Sequence, residues 1–310
     1  MKKILVTGAG GFVGVALVRV LERAGSEVHV TVRKTPDKTF TKWSDKVSIH
    51  KIDLLDKNQV GSLFKRIRPD VVYHLAAVLP KNGDGTTLTE LYGANVLIVQ
   101  NVLDAVADSS IEAAVFMGSC LEYGPSTESS VESDRCHPES PYGITKLSGT
   151  LLAQAAAKNQ NLPIIVCRLF TPFGPGSRPG RFVTEVFEKA KTNQPILLPS
   201  KLVSRDFIYI NDVVRFLVSA PQELSEEKIG NVFNLGSGKS ETLLNFTKLV
   251  FEEFKASAEI NFDTNSTSIQ DTGLWQASME KTTANFSWRP AYTLEEGIQE
   301  TARLFPQMEG

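Results

Sequence analysis

A glycine-rich turn near the start of the chain constrains the fold more than any other feature of the sequence. The apolar run Lys3–Thr7 leads into Gly8–Gly14, where glycines recur three residues apart, and a helical pattern follows. Glycines let the backbone turn tightly and approach a pyrophosphate, which free N–H groups and the positive end of the helix attract. The strand before and the helix after favour a dinucleotide site over an ordinary tight turn. The residues of the turn expected at the cofactor are Gly8, Gly10, Gly11, Phe12, Val13 and Gly14.

Short β-branched runs alternate with amphipathic stretches through the first half of the chain. The predicted strands are Lys3–Val6, Glu27–Val32, Val47–Ile52, Val71–Leu75, Ala113–Met117 and Ile164–Arg168. The predicted helices are Phe12–Ala24, Val60–Arg66, Leu91–Ala107 and Tyr142–Lys158. This alternation predicts an α/β fold, with a Rossmann-type doubly wound parallel sheet that helices cover on both faces.

The pattern loosens in the second half, which predicts a smaller, interleaved C-terminal α/β substrate lobe. Thr171–Arg181 contains three prolines and three glycines, so we expect a loop there. Regular structure returns as helices at Asn211–Ala220 and Thr242–Phe254 and as a strand at Asn231–Leu235. We therefore expect a dinucleotide-binding domain of residues 1–170, rejoined by segments of about 206–235, and a substrate lobe of residues 171–205 and 236–310.

The composition fits a packed globular protein and argues against several classes of function. Apolar residues make up 42% of the chain and charged residues 22%, and the net charge is −2. This balance supplies no basic field for nucleic acid, and no apolar run is long enough to cross a bilayer. The cysteines, Cys120, Cys136 and Cys167, are odd in number and scattered, which argues against disulfides and a zinc site. We expect a cytoplasmic protein with reduced thiols and with no metal, nucleic-acid or membrane partner.

The end of the second predicted strand indicates which dinucleotide binds. NAD enzymes place Asp or Glu there, about 20 residues past the glycines, to bind the adenosine ribose. The sequence instead reads Thr31-Val32-Arg33-Lys34, without an acid. Two cations suit a 2′-phosphate, which the Arg33 guanidinium can bind through two hydrogen bonds, so the pattern favours NADP(H) over a solvated basic turn. Asp53 follows the third strand, where it can reach the adenine edge or form a turn.

A tyrosine and a lysine four residues apart open the helix after the fifth strand, where Ser119 also lies. The spacing puts the side chains of Tyr142 and Lys146 on one helix face. A nearby ammonium and a nicotinamide cation both favour the phenolate, so we expect them to lower the tyrosine pKa from about 10. That shift would suit general acid–base catalysis. The alternative is a half-buried aromatic residue beside a solvated lysine.

With these residues in place, the chain resembles the extended short-chain dehydrogenase/reductases, in particular their nucleotide-sugar epimerase/dehydratase/reductase branch. The resemblance spans nearly the whole chain, and its motifs are Gly8–Gly14, Asp53-Leu54, His74-Leu75-Ala76-Ala77, Asn95, Ser119, Tyr123-Gly124, Tyr142, Lys146, Arg168 to Gly176, Arg205-Asp206-Phe207, Trp288-Arg289-Pro290 and Leu294-Glu295-Glu296-Gly297.

The resemblance implies a role for each matching residue. Ser119 would hydrogen-bond the substrate oxygen, Tyr142 would deliver or remove its proton, and Lys146 would hold the nicotinamide ribose. Asn95 would brace the active-site helix, and Arg33 is similar to the NADP-selecting arginine of flavonoid reductases. The cofactor site would also include Lys34, Asp53, Leu54, Leu75, Ala76, Ala77, Asn95 and Leu169, and the substrate site would include Cys120, Glu122, Thr171, Arg205 and Asp271.

Two departures from the family pattern bear on the reaction. Sugar 4,6-dehydratases carry an Asp-Glu pair after the position of Ser119, because water elimination requires a further acid and base. Cys120 and Leu121 stand there in this chain, which argues against a dehydratase, and we expect Glu122 to face the other way on an extended segment. The family's second diphosphate-binding arginine corresponds to Ser268.

These features predict an NADPH-dependent ketoreductase that reduces C4 of a nucleotide-diphospho-4-keto-6-deoxysugar. The alternatives are an NADP-dependent nucleotide-sugar epimerase, a reductase of a non-nucleotide carbonyl compound, and a non-catalytic dinucleotide sensor that keeps the fold. The family usually dimerises through a four-helix bundle, so the resemblance implies a homodimer formed by Leu91–Ala107 and Tyr142–Lys158.

Overall fold

The computed structural model of the protein describes residues 1–33, 43–80, 85–263 and 273–305. Three residues considered above, Lys34, Ser268 and Asp271, lie outside this part of the chain. In chain order the strands are β1 (Lys3–Thr7), β2 (Glu27–Val32), β3 (Ser48–Lys51), β4 (Val71–His74), β5 (Ala113–Ser119), β6 (Ile164–Leu169), β7 (Thr171–Phe173), β8 (Ile196–Leu198), β9 (Ser204–Tyr209), β10 (Val232–Leu235), β11 (Ser240–Thr242) and β12 (Ile260–Phe262).

Seven of these strands form a parallel sheet in the order β10-β6-β5-β4-β1-β2-β3. The order runs outward from β1 in both directions, which is the doubly wound arrangement, and ligands bind at the carboxyl ends of the strands where the direction reverses. The α/β class and the Rossmann-type sheet predicted from the sequence are therefore confirmed.

The helices are α1 (Phe12–Arg23), α2 (Lys57–Ile67), α3 (Leu88–Tyr92), α4 (Ile98–Ala107), α5 (Pro141–Gln160), α6 (Phe182–Lys191), α7 (Ile210–Ser219), α8 (Leu243–Glu253), α9 (Glu280–Asn285) and α10 (Leu294–Leu304). Polar side chains fix several of their starts. Ser140 accepts a hydrogen bond from the Gly143 N–H ahead of Pro141, and a cap of this kind contributes about 1 kcal/mol. Within the described ranges, no helix has both the length and the apolar character that a bilayer span requires.

Alternating side chains of the sheet pack against helices on its two faces. Val6 packs in the cluster that includes α1 and α7, whereas Leu5 packs in the cluster that includes α2, α4 and α5. Successive residues of a strand point to opposite faces, so a strand with a continuous apolar run such as Ile4–Val6 of β1 requires helices on both sides. The carboxyl edge of the sheet is the part that remains available to a ligand.

The second lobe is built around aromatic residues. β7, β9 and β11 form a small sheet, and β8 pairs with β12. Phe207 stacks on Phe246 of α8 with ring centroids 4.3 Å apart, and Phe173 meets Phe246 edge to face. A Cβ at Gly297 would lie 2.5 Å from Phe173 Cζ, so the glycine lets α10 pack closely on this cluster. The indole of Trp288 donates to the Asp212 carbonyl at 3.0 Å and ties the last segment to α7.

Two predicted elements differ from the structure. The helix predicted at Leu91–Ala107 starts at Leu88 and is interrupted by a π-helical turn at Gly93–Leu97. The loop predicted at Thr171–Arg181 begins with strand β7, which pairs in parallel with β9. Both differences are local. The π turn adds one residue but leaves an apolar spacing on either side that is typical of one continuous helix. Strand β7 has three residues next to proline and glycine, too few for a periodic signal.

Candidate active site

The turn between β1 and α1 contains glycines with two different functions. Gly8 has φ +68°, and a Cβ there would lie 2.5 Å from the Ala76 nitrogen; a Cβ at Gly14 would lie 2.5 Å from the Gly8 carbonyl oxygen. A Cβ at Gly10 would meet no heavy atom within 4 Å. Gly8 and Gly14 thus permit close backbone packing, whereas Gly10 borders open space. The first N–H groups of α1, which starts at Phe12, have no acceptor within the helix. The open space beside them suits a dinucleotide pyrophosphate.

The end of β2 presents Arg33 to solvent, while Thr31 of the same strand is buried. Asp53, after β3, is exposed and accepts a hydrogen bond from the Leu55 N–H at 3.0 Å, which is the bonding of a turn-forming aspartate. Its neighbour Leu54 is half-buried. Arg33 and Asp53 therefore both lie beyond the carboxyl ends of their strands, at the edge where the adenosine half of a dinucleotide is expected.

The segment after β4 is fixed to β1 through a buried histidine. His74 Nδ1 lies 2.8 Å from Thr7 Oγ1, and the Ala76 N–H donates to the same oxygen at 3.4 Å. Burial, with a smaller effect of the Lys146 ammonium, lowers the pKa of His74 to about 3, so the imidazole is neutral. Leu75 and Ala76 are half-buried. Together with the more exposed Ala77, they face the glycine turn.

Asn95 lies in the π-helical turn and joins two parts of the site. Its Oδ1 accepts from the Val78 N–H at 3.1 Å, and its Nδ2 donates to the Val78 carbonyl at 3.3 Å and to Thr145 Oγ1 at 3.1 Å. The side chain is buried. Asn95 therefore connects the segment after β4 to α5, and π turns occur often at functional sites.

Ser119 and Tyr142 meet at the carboxyl end of β5. Ser119 is the last residue of that strand, and Tyr142 lies in the first turn of α5. The Ser119 hydroxyl accepts a hydrogen bond from the Leu121 N–H at 3.2 Å. Burial raises the pKa of Tyr142 well above its ordinary value, against smaller lowering effects of the nearby Ser119 hydroxyl and the Arg181 charge. The lowering expected from the sequence relied on the Lys146 ammonium together with a nicotinamide cation and stays a prediction for the cofactor-bound chain; without a cofactor, burial has the larger effect.

The position of Lys146 explains why burial has the larger effect. Its Nζ donates to the Met117 carbonyl at 2.5 Å, rather than to the phenol, and burial lowers the pKa of the lysine. The ammonium is therefore satisfied by the end of β5 and does not offset the desolvation of Tyr142. The phenol keeps its proton at neutral pH in the ligand-free chain.

The residues after Ser119 form a 3-10 turn, Cys120–Glu122, and not the extended segment expected from the sequence. The turn carries Glu122 inward: its carboxylate is fully buried and pairs with Arg168, whose Nε donates to Oε2 at 2.8 Å. Cys120 is also buried, which raises the pKa of its thiol to about 12. The substrate contact predicted for Glu122 stays a prediction, because no atom of its side chain reaches the surface in this state.

The second lobe approaches this site through β6, β7 and β9. Leu169 ends β6 and is buried, and Thr171 of β7 is half-buried. The guanidinium carbon of Arg205, on β9, lies 5.8 Å from the centre of the Trp275 ring. The Arg205 charge opposes part of the rise that burial causes in the pKa of Cys120, so Arg205 is within electrostatic reach of the turn after Ser119. Thr171 and Arg205 thus lie on neighbouring strands of one small sheet.

Two arginines that the sequence gave no reason to select cross between the lobes. Arg181, which precedes α6, donates to the Leu79 carbonyl at 2.8 Å and to the Pro80 carbonyl at 2.9 Å. Arg178 donates to the Gly10 carbonyl of the glycine turn. Both lie in the Pro- and Gly-rich segment after β7, whose path over the cleft cannot be read from a single sequence.

The fold and the site define the class of protein: a Rossmann-type dinucleotide-binding protein with a serine and a tyrosine at the carboxyl edge of its sheet. Residues 4–236 match the family model "NAD dependent epimerase/dehydratase family". The chain belongs to this family of enzymes.

Relatives and solved structures place the chain in the nucleotide-sugar branch. An uncharacterized UDP-glucose epimerase of Bacillus subtilis is 26% identical, over 96% of this chain and 95% of its own. The dTDP-4-dehydro-6-deoxyglucose reductase of Escherichia coli is 29% identical, over 95% of each chain. The crystal structure of UDP-glucuronic acid 4-epimerase from Bacillus cereus, in complex with UDP-glucuronic acid and NAD, has a TM-score of 0.87 and 27% identity over 99% of both chains. The resemblance to extended short-chain dehydrogenase/reductases is confirmed, and a nicotinamide cofactor is supported.

Proposed function

We propose that the chain is an NADPH-dependent ketoreductase that reduces the 4-keto group of a nucleotide-diphospho-4-keto-6-deoxysugar. The observation that carries the proposal is the placement of Tyr142, in the first turn of α5, beside Ser119 at the carboxyl end of β5. A reduction needs a group that gives a proton to the new alkoxide, and a phenol that keeps its proton at neutral pH meets that need. The similarity to the Escherichia coli reductase supports the same reaction.

The residues of the site divide the reaction between them. When bound, NADPH supplies the hydride that is transferred to C4 of the sugar. The Ser119 hydroxyl donates a hydrogen bond to the carbonyl oxygen, and Tyr142 gives its proton to the same oxygen, so the product is a C4 alcohol and the phenolate is reprotonated from solvent. Lys146 uses one of its three N–H donors on Met117, which leaves others for the nicotinamide ribose hydroxyls.

The turn after Ser119 argues against the elimination of water. That reaction needs an acid and a base in addition to the tyrosine, and the adjacent positions hold Cys120 and Leu121. The Cys120 thiol stays protonated at neutral pH, because burial raises its pKa to about 12, so it is no base. Leu121 has no titratable group. A reductase or an epimerase fits these residues better than a dehydratase.

The cofactor preference is tested at Arg33, which is exposed at the end of β2 with no acidic residue nearby in the strand. Arg33→Ala should raise the KM for NADPH by about tenfold to a hundredfold, the loss expected for a charge-assisted hydrogen bond. The KM for NADH should not change. Arg23→Ala, at the exposed end of α1, is the control and should leave both constants unchanged. An equal rise for the two cofactors would remove the argument for NADP.

A nucleotide-sugar epimerase is the second candidate, because the Bacillus cereus 4-epimerase matches the chain over its whole length. An epimerase returns its cofactor to the starting form, whereas a reductase consumes one NADPH for each product. Incubation with dTDP-4-keto-6-deoxyglucose and NADPH distinguishes the two by stoichiometry. The same assay with a simple ketone tests a non-nucleotide carbonyl substrate.

We also propose a homodimer, formed by the surface that Tyr92, Leu97, Ile144 and Leu151 present on α3, the π-helical turn and α5. These side chains are between 46% and 55% exposed although they are large and apolar. Apolar surface of this kind on adjacent helices is typical of protein interfaces.

Leu151→Asp should convert the dimer to a monomer, since a charge would be buried without a partner. Light scattering should then give a mass near the chain's 34.0 kDa, against about twice that for the wild type. Leu197→Asp, at a 61% exposed position of β8 in the other lobe, is the matched control and should remain dimeric. A monomeric wild type would contradict the proposed dimer.

A further inference from the structure

A fully buried carboxylate lies directly behind Ser119. Glu122 Oε1 accepts hydrogen bonds from the Ser119 N–H at 2.8 Å and from Thr150 Oγ1 at 3.0 Å, and Oε2 accepts from Arg168 Nε at 2.8 Å. The exposed fractions are 0% for Glu122 and 3% for Arg168. One side chain therefore joins the end of β5 to α5 and to β6.

The strand makes room for this carboxylate at Gly118. A Cβ at that position would lie 2.7 Å from Glu122 Oε1 and 3.3 Å from Arg168 Cγ. Glycine inside a strand weakens the strand, and it often marks a site that another group approaches closely. A buried ion pair is also poor evidence for stability, because desolvation of the two charges offsets their attraction. Glu122 also completes a capping box with Ser119, so its carboxylate fixes the turn that directly follows β5.

We infer that Glu122 is a positioning residue: it holds the 3-10 turn Cys120–Glu122 so that the Ser119 hydroxyl, which accepts from the Leu121 N–H at 3.2 Å, keeps its place beside Tyr142. The inference rests on the proposed function, in which Ser119 and Tyr142 act on the substrate oxygen. The carboxylate also acts on the site through its charge, since it raises the pKa of Tyr142 and offsets part of the lowering that burial imposes on Lys146.

Glu122→Gln tests this inference with almost no change of volume. Three donors converge on the carboxylate, and an amide has a single acceptor oxygen, so its NH2 group must face either Arg168 or Ser119. The turn should shift, and kcat for the keto sugar should fall by about a hundredfold, as expected for a misplacement of about 1 Å. The KM should change little. Removal of the negative charge should move the alkaline limb of the kcat profile, which reports the Tyr142 phenol, to lower pH.

Thr150→Val is the matched control. It removes one hydrogen bond from the same carboxylate but leaves its charge and its bond to Ser119, so kcat and the pH profile should stay near those of the wild type. If Glu122→Gln does not fold, the double variant Glu122→Met with Arg168→Met replaces it, because the two buried charges are removed together and the Ser119 N–H loses its acceptor. The double variant should show the same loss of kcat.

Crystal structures of the ligand-free wild type and of Glu122→Gln, or of the double variant, give a readout without substrate. The separation of Ser119 Oγ and Tyr142 Oη should be larger in the variant than in the wild type. An unchanged separation in the variant would overturn the inference. A wild type that does not reduce the keto sugar would instead refute the proposed function, and the crystallographic distance would still decide the role of Glu122.

Discussion

Tyr142→Phe lowers kcat for keto-sugar reduction by about a hundredfold to ten-thousandfold, the usual contribution of a general acid. The substitution removes the phenol oxygen and keeps the ring in the first turn of α5. The affinity for NADPH should be nearly unchanged, because the glycine turn is not altered. The decrease in NADPH absorbance measures turnover, and fluorescence titration measures binding.

The pH dependence of the wild type follows from the same group. The pKa of Tyr142 is raised, so the protonated form, which the reduction uses, persists through the neutral range. Activity should therefore be constant near neutral pH and should fall only as the pH rises beyond the ordinary tyrosine pKa of about 10. Tyr292→Phe, at a half-buried tyrosine of the second lobe, controls for the substitution and should keep full turnover. Full activity in Tyr142→Phe would remove the proposed mechanism.

The sequence predicted those parts of the fold whose signal is periodic. The runs at β1, β2 and α1 are long enough for their apolar spacing to separate strand from helix, and their bounds match the structure within a residue or two. The π-helical turn at Gly93–Leu97 has no such signal, because it keeps the apolar stripe of the helices beside it. Strand β7 is three residues long and exists only through its pairing with β9.

The sequence predicted those parts of the candidate site that follow from the order of strands and helices. It did not predict those that depend on side-chain packing. Ser119 and Tyr142 meet as the order of strands and helices implies. The raised pKa of Tyr142 in the chain without a cofactor was not predictable, because burial and the turn of Lys146 toward Met117 depend on packing. Glu122 was misplaced for the same reason, since its inward direction requires the partner Arg168 on another strand.

Gly8→Ala should destabilise the folded chain by about 2–5 kcal/mol, the sum of a left-handed backbone strain and an overpacked contact. The position has φ +68°, and the added Cβ would lie 2.5 Å from the Ala76 nitrogen and from the Leu75 carbonyl carbon. Both atoms belong to backbone that cannot rotate away. Urea unfolding monitored by circular dichroism measures the loss, and a stability equal to that of the wild type would contradict the close approach of β1 and the segment after β4.

Gly10→Ala separates cofactor binding from folding in the same turn. Its backbone is outside the left-handed region and its Cβ would meet no heavy atom within 4 Å, so the free energy of unfolding should be unchanged or higher by up to about 1 kcal/mol. The methyl group would occupy the space proposed for the dinucleotide pyrophosphate. The Kd for NADPH should rise by about tenfold to a hundredfold, the equivalent of one overpacked contact. Gly8→Ala should therefore lower stability, whereas Gly10→Ala should lower only the affinity for NADPH. Calorimetric titration measures that affinity. If Gly10→Ala is stable and binds NADPH as tightly as the wild type, the pyrophosphate does not pass over this glycine.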